Sequence, residues 1–294
     1  MVHHTTCPVC NSGDIFPYLR CRDHFLSRED FDLYKCPSCG FIFTQDHPGE
    51  ENSGKYYESD EYASHNTNKS ISGLLYRISR KIMYRKKLKL ISKTTGLNTG
   101  KLLDIGSGSG HFLSWMKNAG WDTLGIEIND KTRYQSASKF GLEVMKPEMI
   151  SSLKPESFDC ITLWHVLEHF QDPFSYVREI RRLLKPEGIC IVAMPNCMSH
   201  DAMHYGSFWA AYDVPRHLWH FNSETFARFS LKAGLKMIEL HTLPLDVFYI
   251  SILSEKYKAT SMYFVQGLLR SLWFSFLSLF NRERSSSLIF VLGK

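Results

Sequence analysis

The stretch between Glu61 and Asp104 contains no acidic residue, although it carries ten of the chain's 35 Lys and Arg. The formal net charge is only +5, so the remainder is mildly acidic and the basic character belongs to that one segment. Long apolar runs are missing as well. The best candidate for a membrane span, residues 262–280 (MYFVQGLLRSLWFSFLSLF), is interrupted by Gln266 and Arg270, and its clean run is about half the ~20 residues that a span requires. The N-terminal MVHHTTCPVC lacks the apolar centre of a secretory leader, which points to a reducing, cytoplasmic setting. Internal repeats and low-complexity tracts are absent. With 44% hydrophobic and 22% charged residues, disorder is not the expectation, and 294 residues suffice for one full-sized domain plus a smaller module.

Cysteine, by contrast, is plentiful, with eight residues. In a reducing compartment clustered cysteines bind metal more often than they form disulfides. CPVC (Cys7, Cys10) and CPSCG (Cys36, Cys39) are paired C-x2-C knuckles, the spacing of a tetrahedral four-thiolate Zn2+ site, and Gly40 permits the tight turn behind the second. Residues 1–45 are therefore expected to form a separate unit too small to fold unaided, with the metal as a folding requirement. Cys21 and His24 read as bystanders. Cys160, Cys190 and Cys197 lie in or near apolar runs and read as small core residues.

Residues 46–100 divide into a polar connector (46–68, with YYESDEY) and a helical pattern over 71–93. There Leu74, Leu75, Ile78, Ile82, Leu88 and Ile91 can share one face, with the basic residues on the other. From 101 to 294 short apolar runs alternate with helical segments, the rhythm of an α/β, doubly wound parallel sheet. The final pair of strands, 236–243 and 286–293, is separated by an insertion at about 245–284. Within it Gly267, Ser271, Ser275, Ser278 and Arg282 recur at helical spacing on an otherwise apolar segment. Packing in a core or a homodimer interface is the default. The alternative is a helix lying in a membrane surface, with Trp273, Arg270, Arg282 and Arg284 at headgroup level.

The chemistry concentrates at strand ends. LLDIGSGSGHFL places Asp104 on the first strand, followed by Gly106, Gly108 and Gly110 and then a helix. A dinucleotide fingerprint would read G-x-G-x-x-G; here the register is D-x-G-x-G-x-G, and His111 stands where the third glycine would fall. The second strand closes in LGIEIND, with Glu127 placed to accept from ribose hydroxyls at an α/β switch point. The fourth strand, FDCITLW, runs into HVLEHFQDP, so His165, Glu168 and His169 lie at the carboxyl edge of the sheet, where ligands bind. His217 and His220 follow the fifth strand on the same edge.

Together with RLLKPEGICIVAMPN and DVPRHLWHFNSETFARFSLKAGLKM, these motifs resemble those of class I S-adenosylmethionine-dependent methyltransferases with an N-terminal zinc ribbon. The resemblance implies a seven-stranded, Rossmann-like sheet whose last strand is antiparallel, and S-adenosyl-L-methionine as cofactor. It assigns Asp104, Gly106, Gly108 and Gly110 to the methionine end, Glu127 to the ribose and Ile128 to the adenine slot, with Glu148 and Met149 near the adenine edge. A sulfonium cation without a pyrophosphate suits acidic strand tips better than a basic cradle.

Three readings of the histidines stay open. A neutral imidazole, His165 or then His220, can serve as general base toward an acceptor hydroxyl. Alternatively, H-x-x-E-H with a distal His resembles the E-x-x-E-H of ubiquinone-pathway O-methyltransferases and small-RNA 2′-O-methyltransferases. That likeness implies a second divalent metal at His165, Glu168 and His169, softened toward zinc or iron by the leading His. In the third reading Glu168 and His169 only pin the next helix, and positioning supplies the rate. The expected activity is O-methylation of a small molecule, glycan or lipid-linked intermediate, with Trp209, Tyr212, Arg216 and Trp219 crowding the acceptor. One alternative is an RNA methyltransferase gripping phosphates through the zinc module and Lys86, Lys87 and Lys89. Another is a non-catalytic cofactor-binding subunit. No N/D-P-P-Y/F motif follows the fourth strand, which argues against base N-methylation. Peripheral membrane contact is the further expectation for the cytoplasmic protein.

Overall fold

A computed structural model describes residues 1–57 and 71–294, with side chains from residue 79 onward in the helix that opens the second part. Most of the connector's acidic YYESDEY, and Leu74, Leu75 and Ile78 of the basic helix, lie outside the described residues and side chains.

The main sheet has seven strands: β4 (Lys101–Ile105), β5 (Asp122–Ile126), β6 (Glu143–Met145), β7 (Phe158–Trp164), β8 (Leu184–Pro195), β10 (Lys236–Thr242) and β11 (Ser287–Gly293). Their spatial order is β10-β11-β8-β7-β4-β5-β6, and β11 runs antiparallel to both of its neighbours. This is the doubly wound sheet expected from the sequence, including the reversed last strand. Strands buried on both faces read as continuous apolar runs, which is why FDCITLW and GICIVAMP were legible.

Parallel strands need crossovers, and helices supply them: α2 (His111–Asn118), α3 (Asp130–Phe140) and α4 (Pro173–Leu183). Local chemistry sets their starts. Asn129 accepts from the Thr132 N–H, and Asp172 accepts from the Ser175 N–H with Pro173 at the first helical position. Helix α6 (Ser223–Lys232) opens with a capping box between Asn222 and Thr225. From β4 the chain winds outward to β5 and β6, then returns to lay β7 on β4's other side. The crevice at that reversal is where such sheets bind ligands.

The N-terminal module is not the separate unit expected. Strands β1 (Phe16–Arg22), β2 (Asp30–Lys35) and β3 (Ile42–Thr44) form an antiparallel sheet whose fourth strand is β9, Trp219–His220, from the far half of the chain. Ile42 pairs with His220 and Phe43 with Trp219. Phe41 packs on both Trp219 and Phe221, so the knuckle region and the main sheet share one apolar core.

A buried ion cluster fastens the same joint. The Arg216 guanidinium donates to Asp23 (2.9 Å), to Asp213 (2.6 Å) and to the Tyr56 carbonyl (3.1 Å), and lies over the Phe25 ring. Trp209, Tyr212, Arg216 and Trp219, expected to crowd the acceptor, are all buried in or beside this joint. Trp209 Nε1 donates to Asp201, and Trp219 Nε1 donates to the Phe170 carbonyl. Cys160, Cys190 and Cys197 are buried core residues as expected, and His24 stacks on Tyr257.

Helix α1 (Ile71–Thr95) covers the sheet through Ile91, but Ile82 is exposed and does not belong to the inward face. Lys87 does. Its ammonium lies 3.7 Å from the Trp164 ring centroid and also over Phe112. The strip of Lys86, Lys87 and Lys89 expected to grip phosphates is therefore broken at its centre.

Candidate active site

The glycine turn leaves β4 with Gly106, Gly108 and Gly110 all at positive φ, between 52° and 73°. The three glycines serve different ends. A Cβ on Gly106 would meet Val166 at 2.4 Å, and one on Gly110 would meet Leu142 at 2.7 Å. A Cβ on Gly108 would meet nothing within 4 Å, so this residue's backbone faces open space, as a ligand cradle requires. Glu127, at the tip of β5, accepts from the Gly108 N–H (2.8 Å) and the Asn129 N–H (2.9 Å). Ile128 beside it is 74% exposed, an apolar side chain presented at the lip of the crevice. Asp104 is buried and accepts from the Thr162 hydroxyl at 2.6 Å. Burial, with Glu127 adding to it, pushes the Asp104 carboxyl up, while burial lowers Lys87, the nearest cation. The turn, Glu127 and Ile128 thus meet as anticipated, and Lys87 joins them unforeseen.

Beyond β7 the chain turns sharply. His165 adopts a left-handed backbone (φ 57°), rare for a residue with a Cβ and typical of functional turns. Its Nε2 is 2.9 Å from Asp246 and its Nδ1 is 3.6 Å from Glu168. Burial alone would lower this imidazole, but Asp246 and then Glu168 outweigh it and carry it up to about 10. While it is charged and held between the two carboxylates, this imidazole has no lone pair with which to accept a proton. His220 fails in the opposite sense. It is buried in β9 against Thr44 Oγ1 (3.0 Å), with burial pressing it down to about 3, and so serves as a peg in the sheet joint.

Glu168 is 1% exposed; the His165 ring faces it at 3.6 Å, but neither of its carboxylate oxygens makes a hydrogen bond. A buried carboxylate demands a cation or donors. His169 and His217 each bring a ring nitrogen within 4.8 Å of it and of each other. His169 Nδ1 donates to Arg216 O (3.0 Å), with the Tyr57 hydroxyl 3.2 Å away, and His217 Nδ1 donates to Ala211 O (2.8 Å). Such bonds place the proton on Nδ1 and leave the Nε2 lone pairs free, the arrangement of metal-binding histidines. The candidate ligand set is therefore Glu168, His169 and His217, which corrects the expected His165, Glu168 and His169. Elsewhere the sulfurs of Cys7, Cys10, Cys36 and Cys39 lie within 4.8 Å of one another, with Cys7–Cys39 at 3.5 Å and Cys10–Cys36 at 3.6 Å. Zn–S bonds of ~2.3 Å in a tetrahedron place sulfurs ~3.8 Å apart, so the cage has the right size.

Sheet order, reversed last strand and a glycine turn at the switch point define a class I S-adenosylmethionine-dependent methyltransferase fold. Residues 76–240 match the family profile described as a methyltransferase domain, and the chain belongs to that family. It is 32% identical over 117 residues to a ubiquinone biosynthesis O-methyltransferase of Methylococcus capsulatus, covering 37% of this chain and 49% of that protein. To the protein of that name from Cupriavidus pinatubonensis it is 26% identical over 175 residues, 54% and 70% of the two chains. The first of these matches spans about half of the relative's length. A proposed sarcosine dimethylglycine methyltransferase from Galdieria sulphuraria has the same fold, with a TM-score of 0.51 at 14% identity over 72% of this chain and 85% of that one.

Proposed function

We propose that this protein is an S-adenosyl-L-methionine-dependent O-methyltransferase acting on a small-molecule acceptor, with glycans and lipid-linked intermediates as the acceptor classes to test. The observation that carries the reading is the open backbone at Gly108, spanned by Glu127 at the switch point. Glu127 would hold the ribose hydroxyls, Asp104 the amino group of the methionine end, and Ile128 would cover the adenine. The likeness to ubiquinone biosynthesis O-methyltransferases supports oxygen as the accepting atom.

Methyl transfer is an in-line displacement, so positioning supplies much of the rate. Glu168, His169 and His217 fit a divalent cation, which would lower the pKa of an acceptor hydroxyl. His165 acts as a positioning residue that ties Glu168 to Asp246. The four cysteines fit a structural Zn2+ that holds the knuckles together. The phosphate-gripping alternative loses Lys87, the middle of its three lysines, to the interior.

Calorimetry with S-adenosyl-L-methionine tests the reading: one site per folded chain is expected, and no uptake removes it. Incubation with labelled cofactor and fractionated extract then asks which acceptor class takes the label.

A further inference from the structure

The helical hairpin between β10 and β11 is built inside out. Helix α8 (Tyr263–Phe280) lies on α7 (Asp246–Tyr257), with α5 (His200–Tyr205) beside them. Its inward side carries Gly267 and Ser271 against α7, then Phe274 against Tyr205 of α5, with Leu277 half-buried beyond. Gly267 sits so close that a Cβ would meet the Ile252 Cα at 2.5 Å, and Ser271 one turn on is fully buried. Most of the apolar residues face the other way. Val265, Leu269, Leu272, Trp273, Phe276 and Leu279 recur three and four residues apart and are all exposed, Leu279 by 74%. Packing in a core or dimer interface was the default expectation for this segment, with a membrane surface as the alternative; the structure leaves most of its apolar side exposed.

Small residues at a helix–helix contact with apolar side chains outward is the order that suits a lipid surround, where hydrophobicity cannot drive the helices together. An exposed apolar face spanning a helix of 18 residues, about 27 Å long, exceeds what a free protein surface ordinarily shows. Among the described residues no helix is long and apolar enough to cross a membrane, so this one would lie along a surface.

Charge selects the occupant. Between Glu255 and Glu283 the sequence has no acid, only Lys256, Lys258, Arg270 and Arg282. Glu255 is buried, accepting from Tyr205 and Thr260, while Lys256, Lys258, Arg270 and Arg282 are exposed, so this stretch of the hairpin presents cations and no carboxylate alongside its apolar residues. A second copy docked on the same face would set those cations against each other. Anionic headgroups would neutralise them, and arginine and lysine stems can reach up to such headgroups from an apolar bed. We propose that the α7–α8 hairpin seats the protein on an anionic bilayer surface. The proposal stands on the hairpin alone and needs no activity to test. The same hairpin begins with Asp246, the partner of His165, so it also walls the site.

Flotation of the full chain with phosphatidylglycerol–phosphatidylcholine vesicles reads this directly. Binding is expected to fall with salt and with removal of phosphatidylglycerol. The exposed-site variant Leu269→Glu/Leu279→Glu should lose about tenfold or more of the bound fraction, while Leu231→Glu, an exposed change on α6, should leave it unchanged. Bromine-labelled lipid should quench tryptophan emission in the wild type and markedly less in Trp273→Phe. Absence of vesicle binding overturns the proposal. So does a dimer that Leu269→Glu/Leu279→Glu splits while neither form floats, which assigns the face to a second copy.

Discussion

Replacing Arg216 with methionine removes the cation of the joint but keeps a side chain of similar reach. The consequence can be sized from the structure. Asp23 is buried and receives the Ser27, Phe25 and Leu26 backbone N–H groups as well as the guanidinium. Burial pushes its carboxyl up, but Arg216 and the Ser27 donors outweigh burial and hold it down to about 2. Against an unfolded value near 3.9, that depression corresponds to about 2.6 kcal/mol at neutral pH. Removing one partner of a buried pair typically costs about 3–5 kcal/mol, because the other charge stays behind. Arg216→Met should therefore destabilise the fold by about 3 kcal/mol or more at pH 7. The native carboxyl binds fewer protons than the unfolded one, so its contribution is complete above ~4 and fades as pH falls through ~2. Urea denaturation across pH 2–7 should show the wild type and variant converging in acid. The double variant Asp23→Asn/Arg216→Met should be more stable than Arg216→Met alone. A loss under about 1 kcal/mol, or a gap that does not narrow on acidification, would refute this account.

Other outcomes follow from the site. Gly106→Ala forces a methyl into Val166 on a left-handed backbone and should cost about 2 kcal/mol or more in thermal or urea unfolding. Gly108→Ala meets no neighbour, so it should lose only about 1–2 kcal/mol yet sharply weaken cofactor uptake by calorimetry. Asp246→Asn removes the larger of the opposing influences on His165; NMR titration should find its imidazole shifted down from about 10, and an unchanged value would deny the contact. Elemental analysis should find one zinc per chain fewer in Cys36→Ser/Cys39→Ser than in the wild type, with a lower melting temperature on chelation.

What could be read from sequence was what repeats locally. Apolar runs gave the strands, glycines before a helix gave the turn, and two knuckles gave the cysteine cage. Contacts between distant segments left no such trace. Asp246 lies far from His165 at the start of an insertion, and Arg216 meets Asp23 across 193 positions. Lys87 looked like Lys86 and Lys89; the one available hint was its spacing of four from buried Ile91 and three from Tyr84. In α8 the periodicity separated a small polar stripe from an apolar one, but only tertiary packing decided how much of each turned inward.

Strand β9 ties the cysteine cage to the chemistry more tightly than a tethered accessory would be. Trp219 and His220 follow His217 almost immediately, so a shift of β3 on metal loss is transmitted within two or three residues to the candidate ligand set. Trimming the first 45 residues would strip β9 of its partner and lay Trp219 and Phe221 open to water. The cage is thus joined through β3 and β9 to the segment that carries His217, and losing its metal would be felt there as geometry.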